Sequence, residues 1–229
     1  MNNNGNKPQP QASPSAGGTT RIALILDRSG SMARVREQAR DAFNEAVDRV
    51  RTEAAKGAGD VTLSLVVFNN EVRSILANEP ARRVRKLGPD DYVPGGATAL
   101  FDAVSRGIDL LEQPGELGAR DGALVIVISD GQENASRQVT QADLVERMQT
   151  LEATDQWTFT FMCANVDIRD LRRNLRVPHA NVAAWDQTAQ GTARMAQDLT
   201  KGVSDYMADR RAGIRSKKDF WKKETSERS

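Results

Sequence analysis

The sequence predicts an α/β fold in which helices cover both faces of an open, mostly parallel sheet. Apolar runs alternate along the chain with segments of helical periodicity, and the clearest runs are RIALIL (21–26), ALVIVIS (123–129) and WTFTFMC (157–163). Continuous apolar runs are typical of parallel strands that are buried on both faces. Because these strands alternate with helices, the pattern favours a doubly wound sheet.

The first strand is followed by a helix and then by a hairpin. Apolar side chains recur at three- and four-residue spacing from Val35 to Val50, and KGAGD (56–60) ends this helical pattern. VTLSLVVF (61–68) and EVRSIL (71–76) flank Asn69-Asn70, and consecutive Asn residues tolerate the positive φ of tight turns. The hairpin predicts one antiparallel strand at an edge of the sheet.

The remaining elements continue the alternation. A second helix covers ATALFDAVSRGIDLLEQ (97–113), which Pro114 ends, and Thr140 is positioned to cap a third helix. Weaker patterns follow the strand at 157–163: a short helix (167–175), a last strand (181–185), and a closing helix from Thr188 to about Asp209.

Composition divides the chain into three parts. Residues 1–19 are rich in Asn, Gln, Pro, Ser and Gly, which predicts a disordered tail, and residues 20–209 form the folded domain. Residues 210–229 carry eight Lys/Arg against three Asp/Glu around Phe220-Trp221. We interpret this last part as a solvated tail; the alternative is a contact surface for nucleic acid or an acidic partner.

Bulk properties exclude several classes of function. The net charge of +1 gives no reason to expect nucleic-acid binding or strong membrane attraction. A single cysteine, Cys163, excludes an internal disulfide and a CxxC zinc cluster, and we expect it to be a small buried residue. A single histidine, His179, without a serine in a nucleophile-elbow context, argues against a Ser-His-Asp triad. No signal-peptide pattern or membrane-length apolar segment is visible, so a cytoplasmic location is expected.

Oxygen-bearing side chains cluster at predicted strand ends. DRSGSM places Asp27, Ser29 and Ser31 after the first strand, Asp130 ends ALVIVIS, and Thr98 precedes the second helix. In open α/β sheets, ligands bind beyond the carboxyl ends of the strands. Two carboxylates and three hydroxyls suit a hard divalent cation, Mg²⁺ first, with Mn²⁺ or Ca²⁺ as alternatives.

The balance of charge suggests how such an ion would act. Hydroxyls are neutral ligands, so Asp27 and Asp130 would neutralise the cation. If one carboxylate reaches the ion only through water, one position remains open for the carboxylate of another protein. We therefore hypothesise that the chain binds another protein through a metal ion at this edge of the sheet.

Each of these residues also has a structural interpretation. Ser and Asp favour helix N-caps, so Ser31 or Thr98 could cap the helix that follows, and Asp130-Gly131 could be a turn. Beyond Asp130, Glu133 and Asn134 are expected in an exposed loop; the alternatives are that they support the metal ligands from behind or contact a partner. The remaining polar candidates, Asn69, Asn70 and Asp102, are assigned to a turn and a helix surface.

DRSGSM, GGATAL and VISDGQEN, in this order and at these separations, resemble the von Willebrand factor A (vWA) domain with its metal-ion-dependent adhesion site, MIDAS. The family pattern Asp-x-Ser-x-Ser, a later Thr and a later Asp matches Asp27, Ser29, Ser31, Thr98 and Asp130. WTFTFMCAN and WDQTAQGT are similar to the bacterial intracellular branch. The resemblance covers roughly residues 21–208 and implies a Rossmann-like, six-stranded sheet of order 3-2-1-4-5-6 with an antiparallel edge strand.

The resemblance implies a non-catalytic module whose Mg²⁺ coordinates an Asp or Glu of a partner protein. Loops 28–34, 92–98 and 131–139 would supply specificity. One alternative is a phosphohydrolase of the haloacid-dehalogenase type, but Ser29 stands where its acid/base carboxylate is needed. Another is a regulatory or structural subunit that binds through its tails.

Overall fold

The computed structural model describes residues 18–57, 59–130, 132–164 and 168–221 of the 229-residue chain. Most of the predicted N-terminal tail, the last eight residues (222–229) and the side chain of His179 lie outside this description. Within it, none of the helices is long and apolar enough to cross a membrane.

Six strands form one sheet in the order β3-β2-β1-β4-β5-β6. Their bounds are β1 Thr20–Asp27, β2 Val61–Phe68, β3 Val72–Pro80, β4 Gly122–Ser129, β5 Trp157–Cys163 and β6 Val182–Ala184. β3 pairs with β2 in the antiparallel sense and the other described pairs are parallel, so the predicted edge hairpin and strand order are confirmed. The carboxyl ends of β1, β4 and β5 therefore meet at one edge.

Five helices cover the two faces of the sheet: α1 Arg36–Ala54, α2 Leu100–Glu112, α3 Gln141–Glu152, α4 Ile168–Leu175 and α5 Ala189–Arg211. Successive side chains of a strand point to opposite faces, so β1 divides its apolar residues between two cores. Leu24 belongs to the core that includes α1 and α5, whereas Ile25 belongs to the core that includes α2, α3 and α4. Both are fully buried, as the continuous apolar run predicted.

Local signals for helix and strand ends are also confirmed. Thr140 caps α3 in a capping box, in which its hydroxyl accepts a bond from the Asp143 amide and the Asp143 carboxylate accepts one in return. Cys163 is buried at the end of β5, where burial raises the pKa of its thiol to about 12. The thiol is therefore a protonated core residue at neutral pH.

The C-terminal end of α2 is capped by an arginine from β1. Arg21 Nη1 donates to the carbonyls of Leu111 and Gly115 at 2.7 and 2.6 Å. The last carbonyls of a helix have no intrahelical donor and carry partial negative charge. A guanidinium at this end supplies both a hydrogen-bond donor and a positive charge. This contact joins α2 to the first residues of the sheet.

Residues 215–221 pack against the domain, in contrast to the solvated tail expected there, whereas residues 211–214 are exposed. Phe220 is 2% exposed and belongs to the core beneath α1 and α5. Its ring lies so close to α5 that a Cβ built at Gly202 would be 2.4 Å from it, and its amide donates to Asn181 Oδ1 at 2.9 Å. The segment is rich in basic residues, which indicated solvent exposure, but its Phe220 side chain is part of the core. The folded part of the chain therefore extends past residue 209.

Candidate metal centre

Asp27 ends β1 and is fully buried at the carboxyl edge of the sheet. Its Oδ1 accepts from the Ser29 amide and its Oδ2 from the Ser129 hydroxyl, both at 2.6 Å. Burial raises the pKa of Asp27 to about 6 although these hydrogen bonds oppose the shift, and the charge of Asp130 raises it further. The carboxylate is thus held rigidly where an adjacent positive charge would stabilise it.

Ser29, Ser31 and Asp130 form a hydrogen-bonded row beside Asp27. The two hydroxyl oxygens lie 3.1 Å apart, and Ser31 Oγ donates to Asp130 Oδ1 at 2.8 Å. Burial raises the pKa of Asp130, while hydrogen bonds from Ser31 and Gln187 lower it. Ser29 and Asp130 are buried and Ser31 is exposed, so the row opens to solvent at Ser31.

The capping interpretation of DRSGSM is wrong for these side chains. A 3-10 helix, Gly30–Val35, follows Ser29, and α1 begins only at Arg36. Neither helix start receives a side-chain hydrogen bond from its capping residue. The serine hydroxyls instead point to each other and to Asp130, which leaves them available as oxygen donors at this edge.

Thr98 reaches the same edge through its backbone. The loop before it pairs with the loop after β1, since the Gly30 amide donates to the Gly96 carbonyl at 3.0 Å and the Gly95 amide to the Arg28 carbonyl at 2.8 Å. The Thr98 amide donates to Asn134 Oδ1 at 2.8 Å. Thr98 is 3% exposed, and α2 begins after Ala99 without a side-chain cap from it, so helix capping is also the wrong interpretation here.

Two asparagines of the β2–β3 turn hold the Thr98 loop, a role that their assignment as turn residues missed. Asn69 Nδ2 donates to the Gly95 carbonyl at 2.6 Å, and Asn70 Oδ1 accepts from the Ala97 amide at 2.8 Å. Gly96 between them has φ +80°, and a Cβ there would lie 2.0 Å from Asn70 Oδ1. Only glycine fits this close approach in the left-handed region.

Glu133 was expected in an exposed loop, but it caps the N-terminus of α2. Its Oε2 accepts from the Phe101 amide at 3.0 Å, and its Oε1 accepts from the amides of Ala135 and Ser136 at 2.8 and 2.7 Å. In return, Asp102 of α2 accepts from three amides of the same loop, those of residues 137–139. These reciprocal bonds fix the segment 132–139, and Asn134 within it, against α2.

The donor set fits a hard cation better than a soft one. Among the described residues no group of three or more His, Cys, Asp and Glu is placed to hold a metal ion. A cation at this edge would therefore depend on Asp27, Asp130 and neighbouring hydroxyls. Such oxygen ligands match the preference of Mg²⁺, which retains water in its remaining positions.

The sequence model of the von Willebrand factor type A domain matches residues 22–190, most of the chain. The chain belongs to this family. The match spans the sheet from β1 to β6 and includes Asp27, Thr98 and Asp130. No curated protein matches the chain significantly.

Solved vWA structures share the fold at low sequence identity. A von Willebrand factor type A protein from Catenulispora acidiphila is 14% identical with a TM-score of 0.55, over 83% of this chain and 43% of its own. The vWF domain of the pilus tip protein Mfa5 from Porphyromonas gingivalis is 10% identical with a TM-score of 0.57, over 82% and 97%.

A third structure is proximal thread matrix protein 1 of the mussel byssus, which has a zinc-occupied MIDAS motif. It is 13% identical with a TM-score of 0.54, over 82% of this chain and 46% of its own. This chain thus spans less than half the length of the Catenulispora and mussel proteins. A vWA relative therefore holds a divalent metal at its MIDAS.

Proposed function

We propose that this chain is a metal-dependent protein-binding module. Its Mg²⁺ would be held by Asp27, Ser29, Ser31, Thr98 and Asp130, and an Asp or Glu of a partner protein would complete the coordination. The observation that supports this best is the connected row from Asp27 to Asp130, at the carboxyl edge of a vWA sheet. The zinc-occupied MIDAS of the mussel protein supports a divalent ion in general.

Electrostatics supports the same assignment. Burial raises the pKa values of both Asp27 and Asp130, and the charge of Asp130 raises the pKa of Asp27 further. When bound, a divalent cation would neutralise this pair and present an electrophilic position to a carboxylate from outside. Ser31 is the exposed member of the row, so we expect the partner to approach from its side.

Calorimetric titration with Mg²⁺ tests the site. We expect wild-type protein to bind the ion, and Asp130→Asn and the Ser29→Ala/Ser31→Ala double variant to lose at least tenfold in affinity, which is about 1.4 kcal/mol. Asp90→Asn, an exposed site with the same change of charge, is the matched control. Wild-type affinity in both site variants would contradict the ligand assignment.

Protein capture tests the interaction itself. Immobilised full-length chain should retain a partner in Mg²⁺ buffer and release it in EDTA, and Asp130→Asn should capture none. Retention that ignores both chelator and substitution would refute metal-dependent binding and favour binding through other surfaces. A peptide scan of the captured partner should then identify an acidic residue whose replacement by Ala abolishes retention.

We further propose that the module has no catalytic activity and works in the cytoplasm. Phosphoryl transfer through Asp27 would need a proton-transferring group two residues later, and Ser29 cannot supply it. Turnover of a generic phosphate ester by purified protein with Mg²⁺ would contradict the first point. Some vWA relatives are pilus proteins, so the proposed location needs its own test. Cell fractionation should place the protein in the cytoplasmic fraction.

A further inference from the structure

An arginine stripe, which we define as Arg169, Arg172, Arg173 and Arg176, runs along α4 and its C-terminal end. Spacings of three and four residues place these side chains on one helical face, while Leu171 and Leu175 are buried on another. Together with Val177, the stripe lines an open groove of about 420 Å³. α4 therefore presents a concentrated positive charge to solvent.

Within α4, a single acidic residue, Asp170, accompanies the arginines. Like charges three and four residues apart destabilise a helix. Asp170 forms an ion pair with Arg173, but Arg172 Nε is buried with no hydrogen-bond partner among the residues that the structure describes. Arg176 has φ +52°, a left-handed conformation that usually carries Gly at a helix end. Arginines in the last turn of a helix favour its C-terminal dipole, so the unusual feature of the stripe is the density of like charge and not the presence of a cation.

The first arginine of the stripe lies within reach of the candidate metal centre. The Ala164 amide, directly after β5, donates to the Ser129 carbonyl at 3.0 Å, so it is adjacent to Asp130. Arg169 comes five residues later in the sequence, and its Cα therefore lies within about 18 Å of that of Ala164. One extended peptide of roughly six residues can span this distance, and about three further residues reach Arg176 at the other end of the stripe.

We propose that the arginine stripe binds acidic side chains of the same partner segment whose carboxylate reaches the metal. This inference rests on the proposed function and adds to it that the partner segment is acidic over several residues. Guanidinium groups bind carboxylates in a planar, two-bond geometry, and acidic residues at alternate positions of a strand repeat every ~7 Å. The residues that line the groove are arginines and a valine, without an aromatic ring on which successive bases would stack, so the groove offers a ligand mainly positive charge.

The test measures fluorescence anisotropy with a labelled deca-glutamate peptide and labelled (dT)₁₀, each in Mg²⁺ and in EDTA. The stripe variant is Arg172→Gln/Arg176→Gly, which leaves the Arg173–Asp170 pair intact and places Gly where φ is positive. The control, Arg82→Gln/Arg194→Gln, removes the same charge from exposed positions elsewhere. Thermal melts verify that both variants fold.

We expect the stripe variant to bind deca-glutamate about tenfold more weakly in both buffers and the control to change less than twofold. Equal losses in both variants, or none, would overturn the inference. Tighter binding of (dT)₁₀ with the same dependence on the stripe would also overturn it, because the groove would then be a nucleic-acid site. Failure of the metal proposal is distinguishable: EDTA and Asp130→Asn would leave deca-glutamate binding unchanged while the stripe variant still weakens it.

Discussion

Replacing Glu133 by Gln tests whether this side chain organises the edge of the sheet near Thr98. Both carboxylate oxygens are used: Oε1 accepts from the amides of Ala135 and Ser136, and Oε2 accepts from the Phe101 amide and the Ser136 hydroxyl. Glutamine has the same shape but only one acceptor oxygen. In either orientation its NH₂ group faces backbone or hydroxyl donors.

The cost follows from these contacts. The best orientation keeps Oε1 with its two amides and turns NH₂ toward the Phe101 amide, which retains a bond to Ser136 Oγ at 3.1 Å. Both charge-assisted bonds to Oε2 are lost, as is the negative charge at the N-terminus of α2, and together these are worth about 2–3 kcal/mol at a half-buried site. For a domain of this size, each kcal/mol lowers Tm by roughly 2–4 °C.

Thermal unfolding followed by circular dichroism measures this loss. Glu146→Gln, at an exposed position on α3, is the matched control and should leave Tm unchanged within about 1 °C. Because Asn134 next to Glu133 holds the Thr98 amide, the variant should also bind Mg²⁺ a few-fold more weakly. A Tm equal to that of the control would refute the capping role of Glu133.

Three other changes probe the pH response, the Thr98 loop and the C-terminal segment. Burial raises the pKa of Glu152 from its usual 4.5 to about 7. Between these two pKa values the native state holds a proton on Glu152 that the unfolded state has lost, so the free energy of unfolding falls as pH rises from 4.5 to about 7. In urea titrations, Glu152→Gln should reduce this fall by about 1 kcal/mol, a value that allows for solvent screening. Gly96→Ala should cost at least about 1–2 kcal/mol and weaken Mg²⁺ binding, whereas Gly95→Ala, with open space at its Cβ, should do neither. Phe220→Ala should cost about 3 kcal/mol and the exposed Val93→Ala under about 0.5 kcal/mol by the same titrations; equal effects would show that the segment is not part of the core.

Local patterns predicted the fold well because each strand and helix carries its own signal. The run from Ile22 to Leu26 indicated a strand buried on both faces, and both cores use it. Asn69-Asn70 marked the hairpin, and Thr140 marked the start of α3. These signals arise from residues that are close together in the sequence, so periodicity and turn chemistry report them directly.

The supports of the candidate site were not predictable in this way, because they join residues far apart in the sequence. Glu133 contacts an amide 32 residues away, and Asn69 contacts a carbonyl 26 residues away. An acidic residue after a strand looks the same whether it caps a distant helix or faces solvent. The burial of Phe220 was not predicted for a similar reason. Its basic sequence neighbours indicate solvent exposure, whereas its ring lies against α5, which is distant in the sequence.

α2 is held at both ends by side chains that belong to other elements. Glu133 accepts from one of its first amides and Arg21 donates to one of its last carbonyls, and each charge opposes the partial charge of the helix end that it meets. The helix therefore cannot slide along its axis without breaking bonds at both ends, and its terminal turns are protected from fraying. A displacement of the segment 132–139 would consequently strain hydrogen bonds at the first turn of α2, and a shift of the whole helix would strain the bond from Arg21 at the start of β1.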